Sequence, residues 1–345
     1  MTNFNPNDPG MANGNYFALP YSLEESEIAL ISVPWDVTTS YRPGTHKGPE
    51  AIIEASVQVD LYDPLVPDAW QTKIGTVPAD DKISKDNKKY RKIAEGVIEE
   101  LEKGKSTEEL KSDLDKVNKA SALLNEKVYK ICREQITAGR ITGIAGGDHS
   151  VPLGNMKAVA EQCEEFGILH IDAHADLRKA YEGFTYSHAS IMYNALNEIP
   201  QLAQLTQVGI RDFCEDEAAI IDTDSRIRCF TDVELKRNLF EGKSWKKQCE
   251  EIIASLPADV YISFDIDGLS PELCPNTGTP VPGGLSFREV DYLLYMLATS
   301  NKRIIGFDLC EVAPGEDDEW DANVGARFLY KLALYTKLNR RKSVK

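Results

Sequence analysis

Apolar residues along this chain gather in short runs that end on small or acidic side chains: "IALISVPW", "ITGIAGGDH", "FGILHIDAH", "LTQVGIRD", "VYISFDIDG" and "RIIGFDLCEV". Such runs, apolar on both faces and separated by helical stretches, predict buried strands of a mostly parallel sheet and an α/β fold. The residues that carry chemistry sit at the carboxyl ends of the runs, where the loops of an open α/β sheet splay into a crevice. Residues 82–137, beginning "KISKDNKKYRKIAEGVIEELEKG", break this rhythm, being charge-rich with apolar residues at helical spacing and no short apolar strand. They predict an insertion of two amphipathic surface helices joined near "GKST". Residues 1–27 are rich in Asn, Pro and Gly and predict an arm lying on the surface or on a neighbouring subunit. Residues 28–345 are then expected to form one domain.

Composition narrows the class. At 345 residues, with 42% hydrophobic and 27% charged side chains, the chain can bury a full core and reads as globular. It has no run of about 18 apolar residues and no basic-plus-apolar leader at its start, so neither a membrane span nor a signal peptide is expected, and the cytoplasm is the expected location. The seven cysteines (132, 163, 214, 229, 249, 274 and 310) are scattered and contain no C-x-x-C pair, which argues against a disulfide framework or a zinc knuckle. A formal charge of −16 leaves no basic stripe beyond the short "KLNRRKSVK" tail, so nucleic acid is an unsuitable partner and a cationic small substrate a suitable one.

Three strand ends hold the candidate chemistry. "DAHAD" places Asp172, His174 and Asp176 at alternate positions, which share one face if the strand continues. "SFDIDG" repeats the spacing with Asp265 and Asp267, and "GGDHS" brings His149 out of a glycine turn. Taken singly, a strand-end Asp reads as a cap and a lone His as a structural residue. Taken together, four carboxylates would repel one another unless cations neutralised them. Four Asp and two His without Cys suit divalent ions of intermediate hardness, Mn(II) first, with Ni(II), Co(II) or Fe(II) as alternatives. Six ligands suit two ions with bridging carboxylates, an arrangement that lowers the pKa of a bridging water for attack on a trigonal carbon.

The blocks "GGDHS", "DAHAD" and "SFDIDGLSPELCPNTGTPVPGGLSFRE" resemble, in order, the signature blocks of the ureohydrolase family: arginases, agmatinases, guanidinobutyrases, formimidoylglutamases and guanidine hydrolases. The likeness spans roughly residues 28–335. It implies a three-layer α-β-α sandwich, a homo-oligomer (trimer or hexamer), and a guanidino substrate cleaved to urea. It also implies two metal sets, His149, Asp172, Asp176 and Asp265 on one ion and His174, Asp172, Asp265 and Asp267 on the other, with Asp172 and Asp265 as bridges. On this resemblance Glu311, in "FDLCEVAP", holds the guanidinium, His188, in "YEGFTYSHAS", passes a proton to the leaving amine, and Asp176 is counted with them in catalysis. His170 is assigned to supporting the ligands, His46 has no assigned role, and Ser286 is expected to cap a helix in a box with Glu289.

The loop after "DAHAD" bears on the substrate. Arginases carry asparagine two residues after the last Asp of that motif, and Arg178 stands there instead. "DLRKAYEGFTYSH" is similar to agmatinase loops, and His188 counts against formimidoylglutamases. The expected reaction is agmatine to putrescine and urea. The alternative is hydrolysis of free guanidine, because "MANGNYFALP", "VPWDVTTSYRPGTHKGPEAI" and the helical insertion are similar to that nickel-dependent branch. Trp35 or Tyr41 would then wall a small pocket, and Arg178 joins them as a substrate contact. A single-metal deacetylase on the related fold and a non-catalytic scaffold both fit worse, because the full ligand set and His188 are retained.

Overall fold

A computed structural model describes residues 4–316 and 318–343, with side chains described as far as residue 340, so part of the basic tail and the first three residues of the arm lie outside it. In chain order the elements begin with β1 (Ile28–Val33), α1 (Gly48–Ser56), β2 (Ile74–Thr76), α2 (Asp81–Glu102) and α3 (Lys111–Thr137). They continue with β3 (Ile141–Gly146), α4 (Leu153–Ala160), β4 (Phe166–Ile171), α5 (Ile191–Glu198), β5 (Leu202–Ile210), α6 (Glu215–Thr223) and β6 (Ile227–Thr231). The last group is α7 (Asp232–Phe240), α8 (Trp245–Ser255), β7 (Asp259–Asp265), α9 (Phe287–Thr299), β8 (Arg303–Cys310) and α10 (Trp320–Ser343).

The described strands form one eight-stranded sheet in the order β2-β1-β3-β8-β7-β4-β5-β6. Every pairing is parallel, more uniform than the mostly parallel sheet expected. One helical layer holds α1, α8, α9 and α10 over a core that includes Leu30, Leu169, Phe264, Phe307 and Phe328. On the other side α2 and α3 cover Ile31, Val33 and Ile144, while α4 and α5 cover Ile168, Leu205 and Tyr261. Burial on both faces explains why the central strands carry apolar residues at consecutive positions. The two edge strands were not among the expected ones: β2 is three residues long and β6 reads "IRCFT", with only Ile227 and Phe230 buried.

The order places β8 and β7 between β3 and β4, so the four strands that lead to candidate residues lie side by side at the middle of the sheet. Asp265 is level with Cys310 across β7 and β8, and Ile171 is level with Phe264 across β4 and β7. Asp172, Asp265 and Glu311 therefore leave the sheet at nearly one height. Two glycines allow the ends to close up. A Cβ on Gly147 would lie 2.1 Å from the Trp35 carbonyl oxygen, and one on Gly268 would lie 2.7 Å from the Asp172 nitrogen.

Residues 16–19 do not follow the expectation of a surface arm. Tyr16, Phe17, Ala18 and Leu19 are buried, and Phe17 packs on Tyr330 with ring centroids 4.8 Å apart. The Phe17 N–H donates to Ser56 Oγ at 2.7 Å, and Tyr16 Oη lies 2.7 Å from Ser32 Oγ. Two aromatic residues with polar partners on α1 and β1 outweigh the turn-like residues around them. The expected capping box is present, with Ser286 accepting from the Glu289 N–H at 3.2 Å and Glu289 accepting from the Ser286 N–H at 2.8 Å. All seven cysteines are free thiols.

Candidate active site

His149 follows β3 and stands inside a ring of carboxylates. Its Nδ1 lies 3.0 Å from Asp172 Oδ2, 3.2 Å from Asp176 Oδ2 and 3.4 Å from Asp265 Oδ2. On the other side Nε2 lies 2.9 Å from Ser263 Oγ, and that hydroxyl donates to Asp308 Oδ1 at 3.2 Å. An Nε2–H engaged by Ser263 leaves the Nδ1 lone pair facing the carboxylates, the arrangement that second-tier hydrogen bonds impose on a metal-ligating imidazole. His174 forms the neighbouring cluster: its Nδ1 is 3.0 Å from Asp267 Oδ2 and 3.5 Å from Asp172 Oδ1. Asp172 thus offers one oxygen to each histidine. Asp265 reaches His149, while its other oxygen accepts the Asp267 N–H at 2.9 Å and makes no ion pair to His174.

The six residues converge, but not by strand alternation. β4 ends at Ile171, and the chain turns at Asp176 with φ +54°. This shape is held from outside. The Asp176 carbonyl accepts the N–H groups of Met192 and Tyr193 at 3.1 Å, and the Gln207 amide donates to the Ala175 carbonyl at 2.8 Å. Gln207 also meets His170 Nδ1 at 3.0 Å, and His170 Nε2 sits 2.8 Å from Asp172 Oδ2, the supporting place expected for it. Gln207, Ser263 and Asp308 were missed from the sequence. Their signal was a polar residue within the buried, carboxyl-terminal half of a mostly apolar strand.

The donor set fits divalent cations. Burial, followed by the charges of Asp267 and Asp172, pushes Asp265 well above the usual carboxylate range, and burial with Asp172 pushes Asp176 up to about 6. Four carboxylates this close cannot all ionise without added positive charge. Oxygen and imidazole donors spaced 3.0–3.5 Å apart are at the separation of neighbouring ligands in one coordination sphere. Two clusters within these residues, His149 with His170, Asp172 and Asp176, and Asp172 with His174 and Asp267, each gather donors close enough for one ion.

Above the clusters opens a cleft of about 200 Å³ lined by Tyr41, Arg178, Tyr181, His188, Asp212 and Glu311, among others. Glu311 follows β8 with φ +62°, and its Oε1 accepts the His149 N–H at 3.0 Å. Its Oε2 is buried without a hydrogen-bond partner, and burial, then Asp148, drives this carboxyl well above its ordinary value. His188 lies edge-on to Tyr181, 5.9 Å between centroids, with Nδ1 buried and unpartnered. Burial, then the charges of His174 and His149, lowers its imidazole to about 4. Arg178 stacks over Tyr181 at 5.0 Å and lies 3.6 Å from Glu217. Trp35 departs from expectation: it is 1% exposed, packs in the core beneath α2 and α3, and does not line the cleft. His46, half-exposed, has its Nδ1 2.6 Å from Asp36 Oδ2 and is likewise absent from the lining.

Known proteins resemble the chain in sequence and in fold. The chain is 33% identical over 296 residues to N(1)-aminopropylagmatine ureohydrolase of Thermus thermophilus, covering 86% of this chain and 85% of that protein. It is 28% identical to the agmatinase of Bacillus anthracis, covering 91% and 93%. In fold it is similar to the agmatine ureohydrolase of Thermoplasma volcanium, with a TM-score of 0.71 at 22% identity and coverage of 96% and 97%. The family model of the arginases matches residues 26–335, and the chain belongs to the arginase family of metal-dependent ureohydrolases.

Proposed function

We propose that the protein hydrolyses the guanidino C–N bond of agmatine or a close relative of it, releasing urea and an amine. The observation that carries this reading is the buried, unpartnered Oε2 of Glu311 at the floor of the cleft, beside the His and Asp clusters. A guanidinium N–H would satisfy that oxygen, and its charge would offset the burial and the Asp148 repulsion that raise the carboxyl. His149, Asp172, Asp176 and Asp265 would hold one divalent ion and His174, Asp172, Asp265 and Asp267 a second, Mn(II) first and Ni(II) as the alternative. Bound there, the ions would supply the positive charge that acidifies water at neutral pH.

The chain's own groups divide the remaining work. Glu311 fixes the planar guanidinium so that its carbon faces the carboxylate cluster. His188, neutral at working pH, accepts a proton at its free Nδ1 and returns it to the nitrogen that departs. Water adds to carbon, the C–N bond breaks, and the amine leaves protonated. Asp212, an exposed carboxylate at the mouth, would meet the distal ammonium of agmatine. The relatives named above as agmatinase and N(1)-aminopropylagmatine ureohydrolase support this class of substrate.

Free guanidine is the second reading, favoured by Arg178. Its guanidinium at the mouth, only partly offset by Glu217, would penalise a cationic tail and leave a bare guanidinium unaffected. Urea release is measured on protein loaded with Mn(II) or Ni(II), against agmatine, guanidine, arginine and guanidinobutyrate in parallel. Turnover of agmatine far above the rest supports the first reading, and turnover of guanidine alone replaces it with the second. Absence of urea from all four substrates defeats both.

A further inference from the structure

The amino ends of β3 and β8 border a second cleft, of about 600 Å³, on the sheet edge opposite the candidate active site. Its lining includes Arg140 just before β3, Arg303 at the first position of β8, Arg340 near the end of α10, and Cys163 after α4. The eight residues of β8 separate it from Glu311, roughly 25 Å at the usual rise per residue.

In a chain of net charge −16, three guanidinium groups around one cleft call for a reason. Arg303 is fixed by a two-point pair with Asp259, its Nε 2.6 Å from Oδ1. The other two lack a carboxylate of their own. Arg140 Nη1 donates to the neutral amide oxygen of Gln135 at 3.1 Å, and its Nε is buried with no hydrogen-bond partner. Arg340 stands at the exposed rim and makes no ion pair among the described residues, because Glu27 on that side is taken by Lys337. Glu24 lies within electrostatic reach of Arg140 but is fully exposed and forms no ion pair with it. Partial burial, with Arg303's charge adding to it and Glu27 opposing, lowers the Arg340 guanidinium from its ordinary value.

We propose that this cleft is an anion site for a phosphate-type oxyanion, either free phosphate or the phosphoryl group of a small metabolite. A phosphoryl group offers acceptors to two forks at once, which suits guanidinium better than ammonium. It would satisfy the buried Nε of Arg140 and neutralise the mutual repulsion of Arg303 and Arg340.

The test is calorimetric titration of the metal-loaded full chain with inorganic phosphate, and separately with ribose 5-phosphate, at ionic strength held constant with chloride. Saturable binding is expected, weakened about tenfold or more by Arg140→Gln and by Arg340→Gln, with urea release unchanged in both variants. Arg340→Lys, which keeps the charge and loses the fork, is expected to fall between. Tighter binding of ribose 5-phosphate identifies a phosphorylated metabolite, and equal binding identifies phosphate itself. The proposal is overturned if neither probe binds saturably, or if both glutamine variants bind as the unaltered protein does. In the latter case the anion is held elsewhere on the protein.

Discussion

At the residue scale the site depends on a few side chains held in unfavourable places. Asp176 and Glu311 have positive φ, a conformation that costs a non-glycine residue about 1–3 kcal/mol and persists only where surrounding bonds enforce it. Here those bonds are the helix start at Met192 and Tyr193, and the Gly147 carbonyl that accepts the Glu311 N–H at 2.8 Å. His188→Ala removes the proposed proton carrier and is expected to lower kcat for urea release about a hundredfold or more while the far-ultraviolet spectrum is unchanged. Asp267→Ala strips the His174 cluster and is expected to lower both activity and bound metal, counted by elemental analysis. Retention of full activity in both variants would refute the proposed mechanism. Asp36 permits a separate pH test. Burial raises its carboxyl, but the hydrogen bond and charge of His46, with Asn87 and the Gly44 N–H, outweigh burial and hold it below its ordinary value. A carboxyl lowered on folding stabilises fully above its unfolded pKa, and that stability is lost as pH falls through the folded value. The stability gap between the native chain and Asp36→Asn, followed from about pH 5 downward, is therefore expected to shrink as pH falls below about 4. A gap that widened on acidification, in urea melts across this range, would contradict the assignment.

At the element scale the two inserted helices do more than cover the sheet. α2 sends Arg91 to the carbonyl oxygens of Asp36, Val37 and Thr39, and Asn87 to Asp36 Oδ1 at 3.0 Å, which fixes the loop that carries Ser40 and Tyr41 into the cleft. α3 sends Asn118 to the loop before His188: its amide donates to the Gly183 carbonyl at 3.0 Å and accepts the Thr185 N–H at 2.8 Å. One insertion thus ties down both walls of the cleft. Arg91→Ala takes a donor from three carbonyls, of which the Asp36 one keeps the Thr39 N–H, and is expected to cost about 2 kcal/mol or more of stability. Asn118→Ala is expected to raise KM several-fold with a smaller change in thermal midpoint, because it frees a loop rather than the core. An unaltered KM would show that the loop holds its shape without α3. These helices were legible from charge and periodicity, including the break near "GKST", but their task was not, since Arg91 and Asn118 look like any polar residue on a solvated face. The six candidate ligands were legible because Asp and His at strand ends are chemically conspicuous. Trp35 misled for the opposite reason: an aromatic beside a motif reads as a pocket wall until the helices that bury it are in place.

At the scale of the whole molecule the decisive fact is the strand order, which no local pattern encodes. Sequence neighbours β3 and β4 are separated by β8 and β7, and only that arrangement sets His149, Glu311, Asp265 and Asp172 on one rim. The order joins residues more than 160 positions apart, as in the His149 N–H to Glu311 bond, so the cost of crowding like charges is borne by the fold as a whole. Removing the cations should therefore be felt globally rather than at a loop. Chelation is expected to lower the thermal midpoint, and re-addition of Mn(II) or Ni(II) to restore it along a saturation curve. The gain would be about 2.7 kcal/mol when free metal reaches a hundred times its dissociation constant. The same experiment on Asp172→Asn is informative, because Asp172 faces both histidines and its loss weakens both clusters together. That variant should show a smaller metal-dependent rise in midpoint than Asp267→Ala, which spares the His149 cluster. If Asp172→Asn and Asp267→Ala respond to metal alike, Asp172 does not act as the bridge, and the two clusters bind their ions independently.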